Sequence, residues 1–174
     1  GKVVSRNILH KSDIGGVVVG VKSADEAEAA CEKLIAAGER SGEKLEGIVF
    51  EEMAKDGLDV VVGIRKDAAF GPVLMVGLGG IYTELFKMVS IRVLPVSENE
   101  IDRMLDEIPG LSKMMSGYRG QPVMDRAALV KTIKALADLA SHNSDKFKLL
   151  EINPLRVFEE GKGVCALDCV IELE

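Results

Sequence analysis

The 174-residue chain has no tryptophan, and its five phenylalanines and two tyrosines bring the aromatic share to only 4%. Stacking successive bases on a platform of rings is therefore closed to it. Basic residues are also in deficit: 22 Lys and Arg stand against 28 Asp and Glu, a formal net charge of −6. Nucleic-acid binders need a basic surface, so we expect no nucleic-acid partner, and any phosphate ligand must be met by local Lys, Arg and backbone N–H groups. No apolar run approaches the roughly 20 residues that cross a bilayer, and the opening residues do not have the layout of a signal peptide. We expect a cytoplasmic protein with no membrane partner. Cysteine is scarce and odd in number, and Cys31, Cys165 and Cys169 have no companions at zinc spacing, which predicts reduced, small, buried hydrophobes. Small-molecule chemistry is the class that these absences leave.

What is present is 47% hydrophobic and 29% charged, enough for one good core with room for two subdomains. Gly1-Lys2-Val3-Val4-Ser5 opens without Met and reads as a strand, so we expect a fragment of a longer domain. Gly15 to Val21 is a β-branched run bounded by glycines and predicts a strand. Ser23-Ala24-Asp25-Glu26 is a capping box for a helix through Ala37, closed by Gly38. Ile48-Val49-Phe50 and Leu58 to Ile64 read as neighbouring antiparallel strands. Val73 to Val76 is a further strand ending in Gly77-Leu78-Gly79-Gly80, and Ile91 to Leu94 another. Ser97-Glu98-Asn99-Glu100 starts a second capped helix that stops near Pro109-Gly110, and Asp125 can cap the longest one, where Ala128, Leu129, Ile133, Leu136, Ala137 and Ala140 keep helical spacing. Strands and helices with prominent hairpins predict an α+β fold rather than a doubly wound parallel sheet.

The most informative stretch is the last quarter. Leu149 to Leu155 and Ala166 to Ile171 read as two strands joined by the loop Glu159-Glu160-Gly161-Lys162. If Phe158 pairs with Gly163, counting outwards sets Asn153 opposite Asp168, and Glu151 joins their face because side chains alternate along a strand. Two carboxylates and an amide on one face suit a hard cation such as Mg²⁺ that shares its remaining positions with water and phosphate. The same three residues also suit the solvated face of an ordinary hairpin, and Pro154, which has no N–H, can force a bulge that shifts the pairing by one.

Other motifs carry similar pairs of readings. Ile8 to Gly16 packs His10, Lys11, Asp13 and the glycines Gly15 and Gly16 into one loop. The glycines can bring backbone N–H groups close to a phosphate, and an imidazole can carry a phosphoryl group; a merely solvated loop has the same composition. Gly77-Leu78-Gly79-Gly80 reads as a tight turn or a phosphate cradle, with Arg92 and Lys87 as nearby positive charge. Gly117-Tyr118-Arg119-Gly120 reads as a turn or an anion contact. Glu52-Met53 and Asp59 read as a charged hairpin rim, or as a hinge offering backbone to an adenine and a carboxylate to a ribose.

Taken in order, Lys2-Val3-Val4-Ser5, His10 to Val17, Glu52-Met53, Phe70-Gly71-Pro72-Val73, Gly77 to Ile81, Gly117 to Gly120 and Glu151 to Leu155 resemble the ATP-grasp domain of the NDP-forming acyl-CoA synthetases. That family includes the β subunit of ADP-forming acetyl-CoA synthetase and is related to the β subunit of succinyl-CoA synthetase. The resemblance implies an ATP-grasp fold in which residues 1–174 are the larger, C-terminal part of the domain, with an upstream segment expected before Lys2. It implies a ligase that interconverts acyl-CoA, ADP and phosphate with acid, CoA and ATP through an acyl phosphate and phosphohistidine, using Mg²⁺ and ATP or ADP beside a CoA-binding α subunit or domain in a hetero-oligomer. By position, Lys2 resembles the lysine on the nucleotide phosphates, Gly15 and Gly16 the glycine-rich lid, Glu52 and Met53 the adenine hinge, and Asp59 the ribose carboxylate. His10 resembles a second phosphate carrier, Asn153 and Asp168 the Mg²⁺ ligands, and Glu151 an acidic residue that places metal or phosphohistidine. The alternative is a non-catalytic ATP-grasp-like regulatory domain of a protein acetyltransferase.

Overall fold

In the computed structural model, which describes residues 1–5, 7, 8, 11–79 and 88–174, the chain divides into two units, Gly1–Ala54 and Lys55–Glu174. The first is built on strand β1 (Lys2–Val4), helix α1 (Ala24–Ser41) and strand β2 (Gly47–Val49). β1 and β2 pair antiparallel, Val3 facing Ile48. Val3, Ile8 and Leu34 form a small core, with Ile14, Val18, Leu45 and Ile48 packed on it.

α1 starts where the sequence says. The Ser23 hydroxyl accepts the Glu26 N–H at 3.2 Å, and the Glu26 carboxylate reaches back to the Lys22 N–H at 2.7 Å. Its end differs: the helix runs on to Ser41 and closes at Gly42, whose φ of 73° is the left-handed cap. Gly38 is instead a packing position, since a Cβ there would lie 2.4 Å from Leu45 Cδ1. The predicted strand Gly15 to Val21 is a loop. Gly15 and Gly20, both in the left-handed region, break the extended run; the Lys2–Val17 bridge, the Val3 N–H to the Gly16 carbonyl (3.0 Å) and the reciprocal bonds of Gly1 and Val18 (2.7 and 2.8 Å) tie it to β1.

The second unit is one antiparallel sheet under a helical layer. Its strands are β3 (Leu58–Asp67), β4 (Gly71–Leu78), β5 (Val89–Val93), β6 (Phe147–Val157), β7 (Val164–Ala166) and β8 (Cys169–Leu173). The order is β5-β4-β3-β6, with β7 and β8 side by side along the far edge of β6. The helices are α2 (Glu98–Glu107), α3 (Leu111–Met115) and α4 (Arg126–His142), with a 3₁₀ turn at Tyr118–Gly120. Alternate residues of the strands, Val60, Val62, Ile64, Leu74, Val76, Leu150 and Ile152, meet Ile101, Met104, Leu105, Leu129 and Ile133 of the helices in the main core. Ser97 and Asp125 cap α2 and α4 as the sequence predicts, and Arg126 binds α4 to Asp102 (2.6 Å) and Asp106 (2.9 Å). Strands and helices in these proportions bear out the α+β expectation.

Several local readings are corrected. β2 pairs with β1, and Leu58 to Ile64 pairs with β4 and β6, so the two runs read as one hairpin lie in different units. Gly77 and Leu78 finish β4 rather than turning, and Gly79 is small because the Asp59 backbone lies 2.8 Å from where its Cβ would sit. Arg92 is bound to Glu107 and Glu100 and braces β5 against α2. Cys165 and Cys169 are exposed and Cys31 half-buried, so they are free thiols but not the buried hydrophobes expected. Among the described residues no helix is long and apolar enough to cross a membrane.

Candidate functional site

The β6 hairpin holds the predicted register. Val157 faces Val164, Arg156 faces Cys165 and Leu155 faces Ala166; beyond a short gap Ile152 faces Cys169 and Glu151 faces Val170. Within the gap the Leu167 N–H donates to the Pro154 carbonyl (3.0 Å) and the Asn153 N–H to the Asp168 carbonyl (3.1 Å). Asn153 therefore stands opposite Asp168. Pro154 does produce a bulge, but on the other side of the strand: Val60 faces Leu155 and Val62 faces Ile152, so Asn153 and Pro154 together oppose the single residue Val61. The register shift lies against β3, and Asn153 keeps its place opposite Asp168.

Leu150 and Ile152 are in the core, so Glu151 projects from the face away from the helices. Asn153 shares that face, its Nδ2 donating to Glu151 Oε1 at 3.4 Å. The Asp168 carboxylate accepts the Cys169 N–H at 3.1 Å, and burial, with a smaller contribution from that carboxylate, raises the Cys169 thiol above its ordinary range. On β3 the neighbour of Glu151 is Gly63, which puts no side chain beside it. Two carboxylates and an amide are hard oxygen donors of the kind Mg²⁺ accepts. Among the described residues no group of three His, Cys, Asp or Glu is placed to hold a metal ion, so the hairpin offers its two carboxylates and one amide and no further residue of those types.

Asp59 lies on β3 in the same unit, and both its oxygens are held by Arg156, by Nε at 2.7 Å and Nη2 at 2.9 Å. These hydrogen bonds raise the guanidinium above its ordinary value and fix the carboxylate's orientation. Sequence reasoning missed Arg156.

In the first unit Lys2 pairs with Glu51 at 2.7 Å, and a cavity of about 400 Å³ is lined by Gly20, Val21, Lys22, Phe50, Glu51 and Met53, among others. Of the predicted hinge pair, Met53 lines this cavity and Glu52 does not. Glu51 takes that place, and the signal that could have found it is period two, since in an extended segment Glu51 and Met53 share a face. Gly15 closes a tight turn at φ 73°, its N–H donating to the Ser12 carbonyl, and Gly16 is buried where a Cβ would lie 2.8 Å from Val3 Cγ2. His10 lies outside the described residues, as do Gly80, Ile81 and Lys87.

The model of the ATP-grasp domain matches residues 2–173 of the chain. The chain belongs to the ATP-grasp family. Its homologues are β subunits and domains of ADP-forming acetyl-CoA synthetases. It is 32% identical over 175 residues to the β subunit of acetate–CoA ligase (ADP-forming) II of Pyrococcus furiosus, covering 99% of this chain and 74% of that one. It is 36% identical over 174 residues to the 4-hydroxybutyrate–CoA ligase (ADP-forming) of Nitrosopumilus maritimus, of which it spans only 25%. Among solved structures, the dinucleotide-forming acetyl-coenzyme A synthetase 1 of Ca. Korarchaeum cryptofilum, in complex with coenzyme A, Ca-AMPCP and HgCl⁺, superposes with a TM-score of 0.91 at 33% identity, over 99% of this chain and 75% of that one. In another structure of that enzyme, with coenzyme A and Mg-AMPPCP, the phosphohistidine segment points towards the nucleotide binding site; its TM-score is 0.82 at 30% identity. The ATP-grasp fold expected from the motifs is thus borne out.

Proposed function

We propose that this chain is the nucleotide-binding part of a cytoplasmic ADP-forming acyl-CoA synthetase, which passes a phosphoryl group between phosphohistidine and ADP while acyl-CoA, ADP and phosphate become acid, CoA and ATP. The observation that carries the reading is the hairpin register that sets Asn153 against Asp168 with Glu151 on the same face. Asn153, Asp168 and Glu151 would hold Mg²⁺, which when bound neutralises charge on the transferring phosphates and orients them. The chain's own task is placement and neutralisation. Lys2, oriented by Glu51, supplies positive charge to the phosphates; Met53, Glu51 and Glu52 with their backbone form the adenine hinge; Asp59, held by Arg156, receives the ribose hydroxyls; Gly15 and Gly16 belong to a lid loop. His10 is the candidate second phosphate carrier, and Glu151 the acidic residue that places metal or phosphohistidine in the catalytic step.

Support for a partner comes from the relatives named as β subunits, which imply an α subunit or domain that binds CoA. Mg²⁺ and ATP or ADP as ligands accord with the family and with the Mg-AMPPCP complex of the Korarchaeum enzyme. Asp168→Asn tests the reading directly. Titration calorimetry should show Mg²⁺-dependent nucleotide binding weakened about tenfold, because an anionic hard ligand has become neutral. Equal Mg²⁺ dependence in variant and parent would remove this hairpin from the metal site.

A further inference from the structure

The loop that closes the β6 hairpin is not closed by its own strands alone. In an antiparallel hydrogen-bonded pair, the two facing residues exchange both N–H to carbonyl bonds. At Phe158 and Gly163 only one is made, the Phe158 N–H donating to the Gly163 carbonyl at 3.0 Å. Asp125 stands in for the other. Its N–H donates to the Phe158 carbonyl at 2.8 Å, and its Oδ2 accepts the Gly163 N–H at 2.9 Å. Its Oδ1 meanwhile accepts the Ala128 N–H at 3.0 Å and caps α4. The preceding residues continue the strap: Met124 bridges Glu159, and the Val123 carbonyl accepts the Glu160 N–H at 2.8 Å. Asp125 is only 9% exposed, so these bonds are made in a site where an unpaired carboxylate would be costly.

A helix cap needs one oxygen. The second oxygen and the backbone N–H of the same residue are spent on the hairpin, and that hairpin is the one whose register brings Asn153, Asp168 and Glu151 to one face. A slip of one residue would turn the whole set to the other face. Pro154 makes such a slip a real alternative, because it removes an N–H from the ladder and already forces two residues of β6 to face one of β3.

We propose that Asp125 is a positioning residue of the metal-binding hairpin: a rung inserted between Phe158 and Gly163 that locks the strands in the register on which the site depends. It acts from the closed end of the hairpin, through the strands, and touches neither metal nor nucleotide. The proposal rests on the metal reading of Asn153 and Asp168 for its functional consequence, but not for its structural one.

Asp125→Ser separates the two roles of the carboxylate. Serine is a good N-cap and keeps the Ala128 bond, while its shorter side chain, with one oxygen, cannot also reach Gly163. Asp125→Asn is the milder companion, since one amide oxygen cannot serve two N–H donors that face different oxygens. Hydrogen exchange on the full chain should show the Asn153 and Leu167 amides exchanging about tenfold faster in Asp125→Ser than in the parent, with the amides of α4 unchanged. Calorimetry on the same samples should show the Mg²⁺ requirement for nucleotide binding raised about tenfold, and Asp125→Asn should fall between Ser and parent in both measurements. Unchanged exchange at Asn153 and Leu167 would overturn the proposal and leave Asp125 a helix cap. So would faster exchange with an unchanged Mg²⁺ requirement in a protein where Asp168→Asn does raise that requirement. If Asp168→Asn has no effect, the metal reading fails, and the exchange measurement still decides whether Asp125 fixes the register.

Discussion

At the scale of the residue, the chain's acidic groups do two kinds of work, and the hydrogen bonds tell them apart. Asp125 receives backbone N–H groups, chiefly those of Ala128 and Gly163 with a smaller effect from Gly161, and these hold its carboxyl below the usual range against the opposing effect of burial. Its folded value is therefore lower than its unfolded one. The stability it contributes is present in full above the ordinary carboxylate range and is lost as pH falls through the folded value. Comparison of the parent with Asp125→Asn by urea denaturation should accordingly show a gap of about 2 kcal/mol at pH 7 that narrows at pH 3. A gap of constant size would mean that the carboxylate charge is irrelevant to the cap. Asp67, Asp106 and Glu107 are shifted in the same direction, by the Ala69 N–H, by Ser112 and by Arg92 respectively. All three are exposed, and solvent screens what they add. Asp59 has both oxygens held by the one Arg156 guanidinium, and the pair orients a carboxylate that we assign to the ribose.

At the scale of the element, glycines decide which apolar runs become strands. The valine run from Val17 to Val19 has a strong β preference and still forms a loop, because Gly15 and Gly20 take left-handed conformations on either side of it. β4 also ends in glycines, and there the reason is space: a Cβ on Gly79 would lie 2.8 Å from the carbonyl carbon and oxygen of Asp59, and the Gly79 N–H donates to that same oxygen at 2.8 Å. Backbone atoms cannot swing aside as a side-chain tip can. Gly79→Ala should therefore destabilise the chain by about 2 kcal/mol, read as a lowered urea midpoint with unchanged slope. A midpoint equal to the parent's would show that the β4 end and β3 separate at little cost, and that the glycine is not there for the close approach.

At the scale of the whole molecule, the two units have separate cores of unequal size. Val3, Ile8 and Leu34 are the buried centre of the first, whereas the second joins the sheet residues to α2, α3 and α4 in one large cluster. Leu34→Ala removes all of a buried side chain beyond its Cβ from the small core, a change that typically costs about 3 kcal/mol. Hydrogen exchange should then accelerate in β1, α1 and β2 well beyond any change in β3, β4 and β6. Uniform acceleration through both units would show that the chain opens as a single cooperative body.

The sequence by itself determined the elements whose signals are local. The caps at Ser23, Ser97 and Asp125 require only a side chain and the next turn of backbone, and the β6 hairpin register follows from its loop length, so Asn153 facing Asp168 could be counted from the chain alone. The family was legible for the same reason, since its motifs are short and ordered along the sequence. What only the tertiary structure decided were matters of distant pairing. β2 joins β1 rather than β3; Lys2 meets Glu51; Arg156 reaches across the sheet to Asp59; and Asp125 spends its second oxygen on a turn 38 residues away. No propensity or spacing records such contacts, because each depends on where two remote segments come to rest.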